Sequence, residues 1–168
     1  MSECAVKFSV FTKAWRDMPL ARLGEYVRSL GFDGIELPVR AGFQVEPEGV
    51  ERDLPEAAKT LAGEGVSIFS VADGTDERTF AACAAAGVPV VRICPVLEGP
   101  FTESMDAWRR KLDDLTPLLE EHGVTLGLQN HCDPRFVPHA MALKYLLDGR
   151  DRRHVAAVWD AAHNALEG

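Results

Sequence analysis

An acid and a histidine stand at the end of one apolar run, and both are residue types that bind metals. Asp160 directly follows V-A-A-V-W at residues 155–159, and His163 comes three residues later. A run with no polar alternation predicts a strand buried on both faces, as in a parallel sheet covered by helices. In α/β folds the carboxyl ends of such strands carry the ligands and the chemistry, and carboxylates and imidazoles are frequent ligands of divalent metals. The alternative is that Asp160 caps the next helix and that His163 is an ordinary surface histidine.

Other polar residues lie at or just after the ends of other apolar runs. They are Lys13, Glu36, Arg40, Asp73, Arg92, Gln129, Asn130 and His131. If the strands are parallel, these side chains meet Asp160 at one end of the sheet and form a polar, partly charged pocket. Glu36 and Arg92 have a structural alternative, since a charge inside a buried strand needs a partner in any case. His131 has the alternative of a hydrogen-bonded histidine beneath a loop.

Strand-like and helix-like segments alternate along the chain. The predicted strands cover residues 6–11, 34–38, 66–71, 88–93, 124–128 and 154–159. Helices are predicted near residues 19–30, 54–62, 79–86, 104–121 (capped by Ser104) and 138–147, and a loop from 164 onwards. This repeat predicts an α/β domain with a parallel sheet. The residues after the first strand, T-K-A-W-R, are not the G-x-G-x-x-G of a dinucleotide-binding sheet, which favours a barrel.

Composition and charge narrow the class of protein. The 168 residues are 46% hydrophobic and carry a net charge of −8, so a nucleic-acid partner is not expected. We find no secretory leader and no apolar run that could span a membrane, and we expect a cytoplasmic protein. The four cysteines, Cys4, Cys83, Cys94 and Cys132, are widely spaced and are interpreted as reduced thiols. Cys132 lies beside the predicted site, either as a reactive thiol or as a small buried residue.

Three stretches of the sequence, in this order and spacing, resemble the xylose isomerase-like (β/α)8 barrels. They are L-G-F-D-G-I-E-L at 30–37, H-G-V-T-L-G-L-Q-N-H at 122–131 and V-W-D-A-A-H-N at 158–164. That family includes sugar isomerases, ketose 3-epimerases, hydroxypyruvate isomerase, inosose dehydratase and an AP endonuclease. The resemblance covers essentially the whole chain, and the ordered set of motifs is more specific than any one of them. It implies a TIM-type barrel of which about six strands of eight are present.

The resemblance implies a divalent metal ion, Mn²⁺, Mg²⁺, Co²⁺ or Zn²⁺, held at the ends of strands five to eight. It assigns Asp160 as the strand-six ligand and Gln129 to the strand-five position, where the family usually has a glutamate. A neutral amide removes one negative charge from the site and cannot act as a base. We therefore expect Gln129→Glu to tighten the binding of Mn²⁺ or Mg²⁺.

The length of the chain departs from that of a full barrel, which has about 250 residues. We expect residues 1–168 to form one domain of this type without the last two βα units, as a truncated chain or one completed by a partner. Such a domain leaves strand edges unpaired, so a homo-oligomer is also expected.

The function implied by the resemblance is that of a sugar or sugar-phosphate isomerase or epimerase, which moves a proton α to a carbonyl. The expected partner is a small sugar or sugar phosphate. The residues assigned to catalysis are His163 and Glu36, those assigned to substrate binding are Arg92, Asn130 and His131, and those assigned to the metal are Gln129 and Asp160. The alternatives are a non-catalytic incomplete barrel that binds a sugar or a partner, and a phosphodiesterase resembling the AP endonuclease.

Overall fold

The computed structural model describes residues 6–167 of the chain. The chain divides into two compact units, Met1–Pro89 and Val90–Gly168. Within each unit, parallel strands alternate with helices that connect them. The predicted α/β class is therefore confirmed.

The first unit contains three strands and three α-helices in alternation. They are β1 (Ser9–Phe11), α1 (Leu20–Ser29), β2 (Gly34–Pro38), α2 (Val50–Gly63), β3 (Ser67–Ala72) and α3 (Glu77–Ala86), with 3-10 turns at Thr12–Trp15 and Pro47–Gly49. β2 pairs in parallel with β1 on one side and with β3 on the other. Because it is covered on both faces, all of its residues except the half-buried Glu36 are buried.

One face of each helix packs into the core of the first unit. Leu23 and Val27, four residues apart on α1, are fully buried, as are Leu54 and Leu61 on α2. Burying one such side chain stabilises the fold by about 1.5–3 kcal/mol. The buried residues of α1 and α2 thus recur at helical spacing along one face of each helix.

The second unit repeats the alternation. It contains β4 (Val90–Ile93), α4 (Phe101–His122), β5 (Thr125–Gln129), α5 (Ala140–Leu147), β6 (Val155–Val158) and α6 (Ala161–Glu167). β5 pairs in parallel with β4 and with β6. Its core includes Leu126 and Leu128 of β5 together with Leu112 and Leu119 of α4, all with no exposed surface.

Several element boundaries differ from the prediction. β1 begins at Ser9 rather than at residue 6, and α4 begins at Phe101, so that Ser104 lies inside the helix instead of capping it. The hydroxyl of Ser104 donates to the carbonyl oxygen of Glu98 at 2.8 Å. The loop predicted from residue 164 is wrong, because α6 occupies that segment.

The prediction that the sixth strand is buried on both faces is also wrong. In β6 only Val155 is buried, Ala157 is exposed, and Trp159 just beyond the strand keeps 60% of its surface exposed. Within residues 6–167, β6 pairs with β5 alone, so one of its edges has no neighbouring strand to carry a covering helix. An apolar run shows that both faces of a strand could be buried. Whether they are buried depends on the helices and strands that pack against it.

Gly34 is a position where the first unit leaves no room for a side chain. A Cβ at Gly34 would lie 2.5 Å from the carbonyl oxygen of Ser67 and 2.7 Å from the ring of Phe69. We expect Gly34→Ala to lower the free energy of unfolding, measured in urea, by about 1–3 kcal/mol. Gly63→Ala is the matched control, since nothing lies within 4 Å of its Cβ position and alanine favours a helix by roughly 0.8–1.0 kcal/mol. Equal effects of the two substitutions would contradict the close strand approach.

Two smaller expectations concern the membrane and the cysteines. No described helix is long and apolar enough to cross a bilayer.

Cys83, Cys94 and Cys132 are reduced, as predicted, and Cys4 lies outside the described residues. Burial raises the pKa of Cys83 to about 12, which makes that thiol unreactive at neutral pH.

Candidate functional site

The ends of β5 and β6 lie side by side in the second unit. The parallel register pairs Gln129 with Val158, the last residues of the two strands. Asp160 follows two residues after Val158 and is half-buried. The strand-end residues of two consecutive βα units therefore meet at one place, as the repeat predicted.

Asp160 is held there by donors on both carboxylate oxygens. Its Oδ2 accepts the side-chain N–H of Gln129 at 2.9 Å, and its Oδ1 accepts the backbone N–H of His163 at 2.9 Å. The His163 N–H, followed by the charge of that residue and the Gln129 amide, holds the pKa of Asp160 below its ordinary value. Asp160 is thus an anion at neutral pH, and its bond to the N–H of His163 also caps α6, which is the structural role offered for it from sequence. Its role as a metal ligand remains a prediction.

Asn130 fixes the backbone of Asp160. Its Oδ1 accepts the N–H of Asp160 at 2.8 Å, and its Nδ2 donates to the carbonyl oxygen of Asp160 at 3.0 Å. Asn130 has no exposed surface. Both polar atoms of Asn130 are bonded to the backbone of Asp160, so this side chain positions Asp160. The substrate contact predicted for Asn130 remains a prediction.

His163 lies between the carboxylate of Asp160 and a thiol. Its Nδ1 is 3.1 Å from the Sγ of Cys132, and its Nε2 is 3.9 Å from Oδ2 of Asp160. The ring of His131 stacks on it, with centroids 3.9 Å apart and the planes 34° from parallel. His163, interpreted from sequence as a possible surface histidine, is therefore part of a packed polar cluster.

The loop after β5 brings His131 and Cys132 into this cluster. Backbone hydrogen bonds tie it to the loop after β4: the N–H of Val137 donates to Pro95 and that of Leu97 to Arg135. The Nδ1 of His131 accepts the N–H of Asp133 at 3.0 Å. Burial, then the neighbouring charge of His163, lowers the pKa of His131, so the neutral imidazole is favoured.

Arg92 reaches the site through a sulfur atom. It is a buried residue of β4, and its Nη1 lies 3.8 Å from the Sγ of Cys94. Cys94 in turn donates to Oε1 of Gln129 at 3.7 Å. Three successive contacts, through Cys94 and Gln129, therefore connect the guanidinium to Asp160. The predicted contact of Arg92 with substrate remains a prediction.

The strand-end residues of the first unit form contacts of their own. Glu36 accepts the hydroxyl of Ser70 at 3.0 Å, Asp73 accepts that of Thr79 at 2.6 Å, and Arg40 lies over the ring of Phe11. Lys13 is exposed. The catalytic role predicted for Glu36 remains a prediction.

The structure brings Gln129, Asp160 and His163 together, as predicted. It also brings in Cys132, which the sequence placed beside the site without assigning it to the metal or the substrate, and whose contact with His163 joins two segments 31 residues apart. The available signal was the run H-C-D at 131–133, which places a thiol next to the end of β5.

The Gln129–Asp160 pair does not offer two oxygens to a cation in this arrangement. Gln129 turns its N–H toward Asp160, while its oxygen faces Cys94. A hard cation such as Mg²⁺ requires oxygen ligands. In this arrangement the two side chains cannot both bind one metal ion. Only Asp160 presents a suitable ligand atom.

Comparison with known proteins identifies the fold. The family model described as "xylose isomerase-like TIM barrel" matches residues 25–168. No curated protein sequence matches the chain.

Solved structures of similar fold include two sugar epimerases. The 3-keto-D-glucoside 4-epimerase of E. coli is 14% identical with a TM-score of 0.76, and the match covers 97% of this chain and 71% of that one. L-ribulose 3-epimerase is 18% identical with a TM-score of 0.75, covering 97% and 63%. The IolI protein, whose structure holds a zinc atom, is 18% identical with a TM-score of 0.75, covering 94% and 64%. The chain thus spans about two thirds of the length of these proteins, and at these identities the likeness concerns the fold.

Proposed function

Because the chain belongs to the xylose isomerase-like TIM barrel family, we propose that it takes part in the isomerisation or epimerisation of a sugar or sugar phosphate. Residues 6–167 contain six of the eight strands of such a barrel. The observation that carries the proposal is the ionised Asp160, fixed by Gln129, Asn130 and His163 where active sites of this fold lie.

The chemistry requires a group that takes a proton from the carbon next to a carbonyl and donors that stabilise the resulting oxyanion. His163 is the candidate for moving that proton, since histidine is the most frequent general acid–base residue and this ring is half-buried beside Asp160. The neutral ring of His131 and the guanidinium of Arg92 are donors suited to the hydroxyl and carbonyl oxygens of a sugar, or to a phosphate.

A divalent metal, where one is bound in this family, supplies charge that polarises the carbonyl and hydroxyl oxygens of the substrate. Asp160 would supply one ligand atom for such a metal, and Gln129 would do so only if its amide turned over. The contribution of the residues present is to orient the sugar and to move a proton.

Solvent exchange tests the proposal directly. The full chain is incubated in D₂O with ketoses, aldoses and their phosphates, and NMR follows deuterium entering the carbon next to the carbonyl. We expect exchange with at least one of these sugars, and we expect His163→Gln to slow it by about 10²–10⁴-fold, the usual contribution of a general acid–base group.

His154→Gln is the matched control, because His154 precedes β6 at the end of the strand opposite to Asp160. It should leave the exchange rate unchanged. If a sugar binds to the folded chain and no exchange occurs, the isomerase proposal fails and a non-catalytic binding role takes its place.

A further inference from the structure

One thiol and two imidazoles form a compact cluster in the second unit. The potential ligand atoms of His131, Cys132 and His163 all lie within 4.8 Å of one another, and each residue is half-buried. Half-burial leaves a route for an ion from solvent while excluding much of the surrounding water. Gln129, which the family resemblance assigns to a metal, is not a member of this cluster.

The spacing is close to that of ligands around one small ion. In a tetrahedral zinc site with Zn–S of about 2.3 Å and Zn–N of about 2.0–2.1 Å, a sulfur and a nitrogen ligand lie roughly 3.6 Å apart. The Sγ of Cys132 and the Nδ1 of His163 are 3.1 Å apart. An opening of about half an ångström would accommodate the ion, which is within the freedom of two side chains in a loop and a terminal helix turn.

We propose that Cys132, His163 and His131 bind a borderline-soft divalent cation of the Zn²⁺ class. Thiolate and imidazole are the ligands that such an ion prefers over Mg²⁺ or Ca²⁺. The described residues supply three ligands, which leaves a fourth position for water or a small ligand. The ligands and the occupant of this site are defined without a substrate. While an ion is bound to Nδ1 and the Nε2–H faces Asp160, the ring of His163 has no nitrogen left to move a proton, so its proposed role in sugar chemistry belongs to the ion-free chain.

Asp160 acts in this site as the carboxylate that orients a ligand. When His163 binds the ion through Nδ1, its Nε2–H is directed toward Oδ2 of Asp160, now 3.9 Å away. Metal-bound histidines commonly donate their second N–H to a carboxylate, which fixes the ring and strengthens its basicity. The second oxygen of Asp160 already holds the backbone of His163.

His131 is expected to be the weakest of the three ligands. Its Nδ1 accepts the N–H of Asp133, so either nitrogen can bind the ion only if that hydrogen bond is lost. Such a bond contributes about 0.5–1.5 kcal/mol. Cys132 and His163 have no comparable bond to give up apart from the contact between them.

The test uses the reduced, metal-free full chain titrated with Co²⁺ and then with Zn²⁺. A thiolate–cobalt bond gives a charge-transfer absorption in the near ultraviolet, and calorimetry gives the affinity for Zn²⁺. We expect one ion per chain and a charge-transfer band that Zn²⁺ abolishes. Cys132→Ser should remove the band and weaken Zn²⁺ binding by more than about 100-fold, since losing an outer partner alone costs 10–100-fold.

Three variants separate this site from others. Asp160→Asn should keep the band and weaken binding by roughly 10–100-fold, and His131→Gln should weaken it less than His163→Gln. Cys94→Ser is the matched control, because Cys94 is a cysteine of the same unit that does not belong to the cluster, and it should bind like the original chain. A band that survives Cys132→Ser, or one that Cys94→Ser removes, overturns the proposal.

Alkylation of the unaltered chain tests the same site without any variant, so it does not depend on whether a variant folds. Zn²⁺ should protect Cys132 from iodoacetamide, with modification located by mass spectrometry, while the buried Cys83 stays unmodified throughout. Equal alkylation of Cys132 with and without Zn²⁺ also overturns the proposal. Because no sugar is present, either failure leaves the proposed isomerase function standing, and absence of solvent exchange leaves this site standing.

Discussion

Asn130→Ala is expected to lower the free energy of unfolding by about 2–3 kcal/mol. The substitution deletes two hydrogen bonds to one residue, from Asp160 N–H and to Asp160 C=O. The carbonyl keeps a partner in the N–H of Asn164, but Asp160 N–H loses its acceptor. Leaving a buried donor without an acceptor destabilises the fold by more than one hydrogen bond stabilises it. The expected loss of stability is therefore larger than for an exposed amide.

Urea denaturation of the full chain measures this loss, and two further variants interpret it. Asn130→Asp retains the shape and one acceptor but replaces the donor by a second oxygen, so it should be at least as destabilising. Asn164→Ala is the control: its Oδ1 accepts a single N–H, that of Ala140 at the start of α5, a hydrogen bond worth about 0.5–1.5 kcal/mol. Equal losses for Asn130→Ala and Asn164→Ala would mean that the clamp on Asp160 contributes no special stability.

The features that sequence predicted here are those set by local pattern. The alternation of apolar runs with helical spacing predicted the strands, and glycines such as Gly87 and Gly123 adopt the positive φ of 68° and 63° that ends a helix. The placement of Gln129 and Asp160 followed from the same pattern, because parallel strands bring their carboxyl ends to one edge. These inferences needed no knowledge of which loop contacts which.

The features that sequence missed depend on contacts between distant segments. Cys132 reaches His163 because the loop after β5 is hydrogen-bonded to the loop after β4, a pairing with no local signature. The burial of Asn130 and the direction of the Gln129 amide are set by their neighbours in the same way. The exposure of Trp159 reflects which elements cover β6, and no property of the strand's own residues reports it.

Gln129→Glu is expected to place two carboxylates where the structure has a hydrogen bond. The donor nitrogen of Gln129 lies 2.9 Å from Oδ2 of Asp160, and the substitution puts an anionic oxygen in its position. Two like charges about 4 Å apart repel by roughly 4 kcal/mol near a protein surface. Because the side chains can move apart, we expect a loss of about 1–3 kcal/mol in stability at pH 7, together with a raised pKa for the carboxylate pair.

The sign of the pH dependence follows from that raised pKa. At present the N–H of His163 lowers the pKa of Asp160, so the contribution of Asp160 to stability is present at neutral pH and is lost as the pH falls through the lowered value. In the variant the folded pair binds a proton more tightly than the unfolded chain does. The destabilisation relative to the original chain should therefore shrink as the pH is lowered from 7 to 5, as measured by urea denaturation at each pH.

A cation should relieve the same repulsion. With two oxygens facing each other, Gln129→Glu creates the hard-ligand pair that the original arrangement lacks, so Mn²⁺ or Mg²⁺ should bind more tightly by calorimetry and restore stability. The double variant Gln129→Glu/Asp160→Asn is the matched control: it reverses the hydrogen bond, with the amide on the other partner, and should be stable without metal and gain no affinity. If the single variant Gln129→Glu has the same stability and metal affinity as the original chain, the side chain at position 129 does not face Asp160. The assignment of Gln129 and Asp160 to a metal then fails.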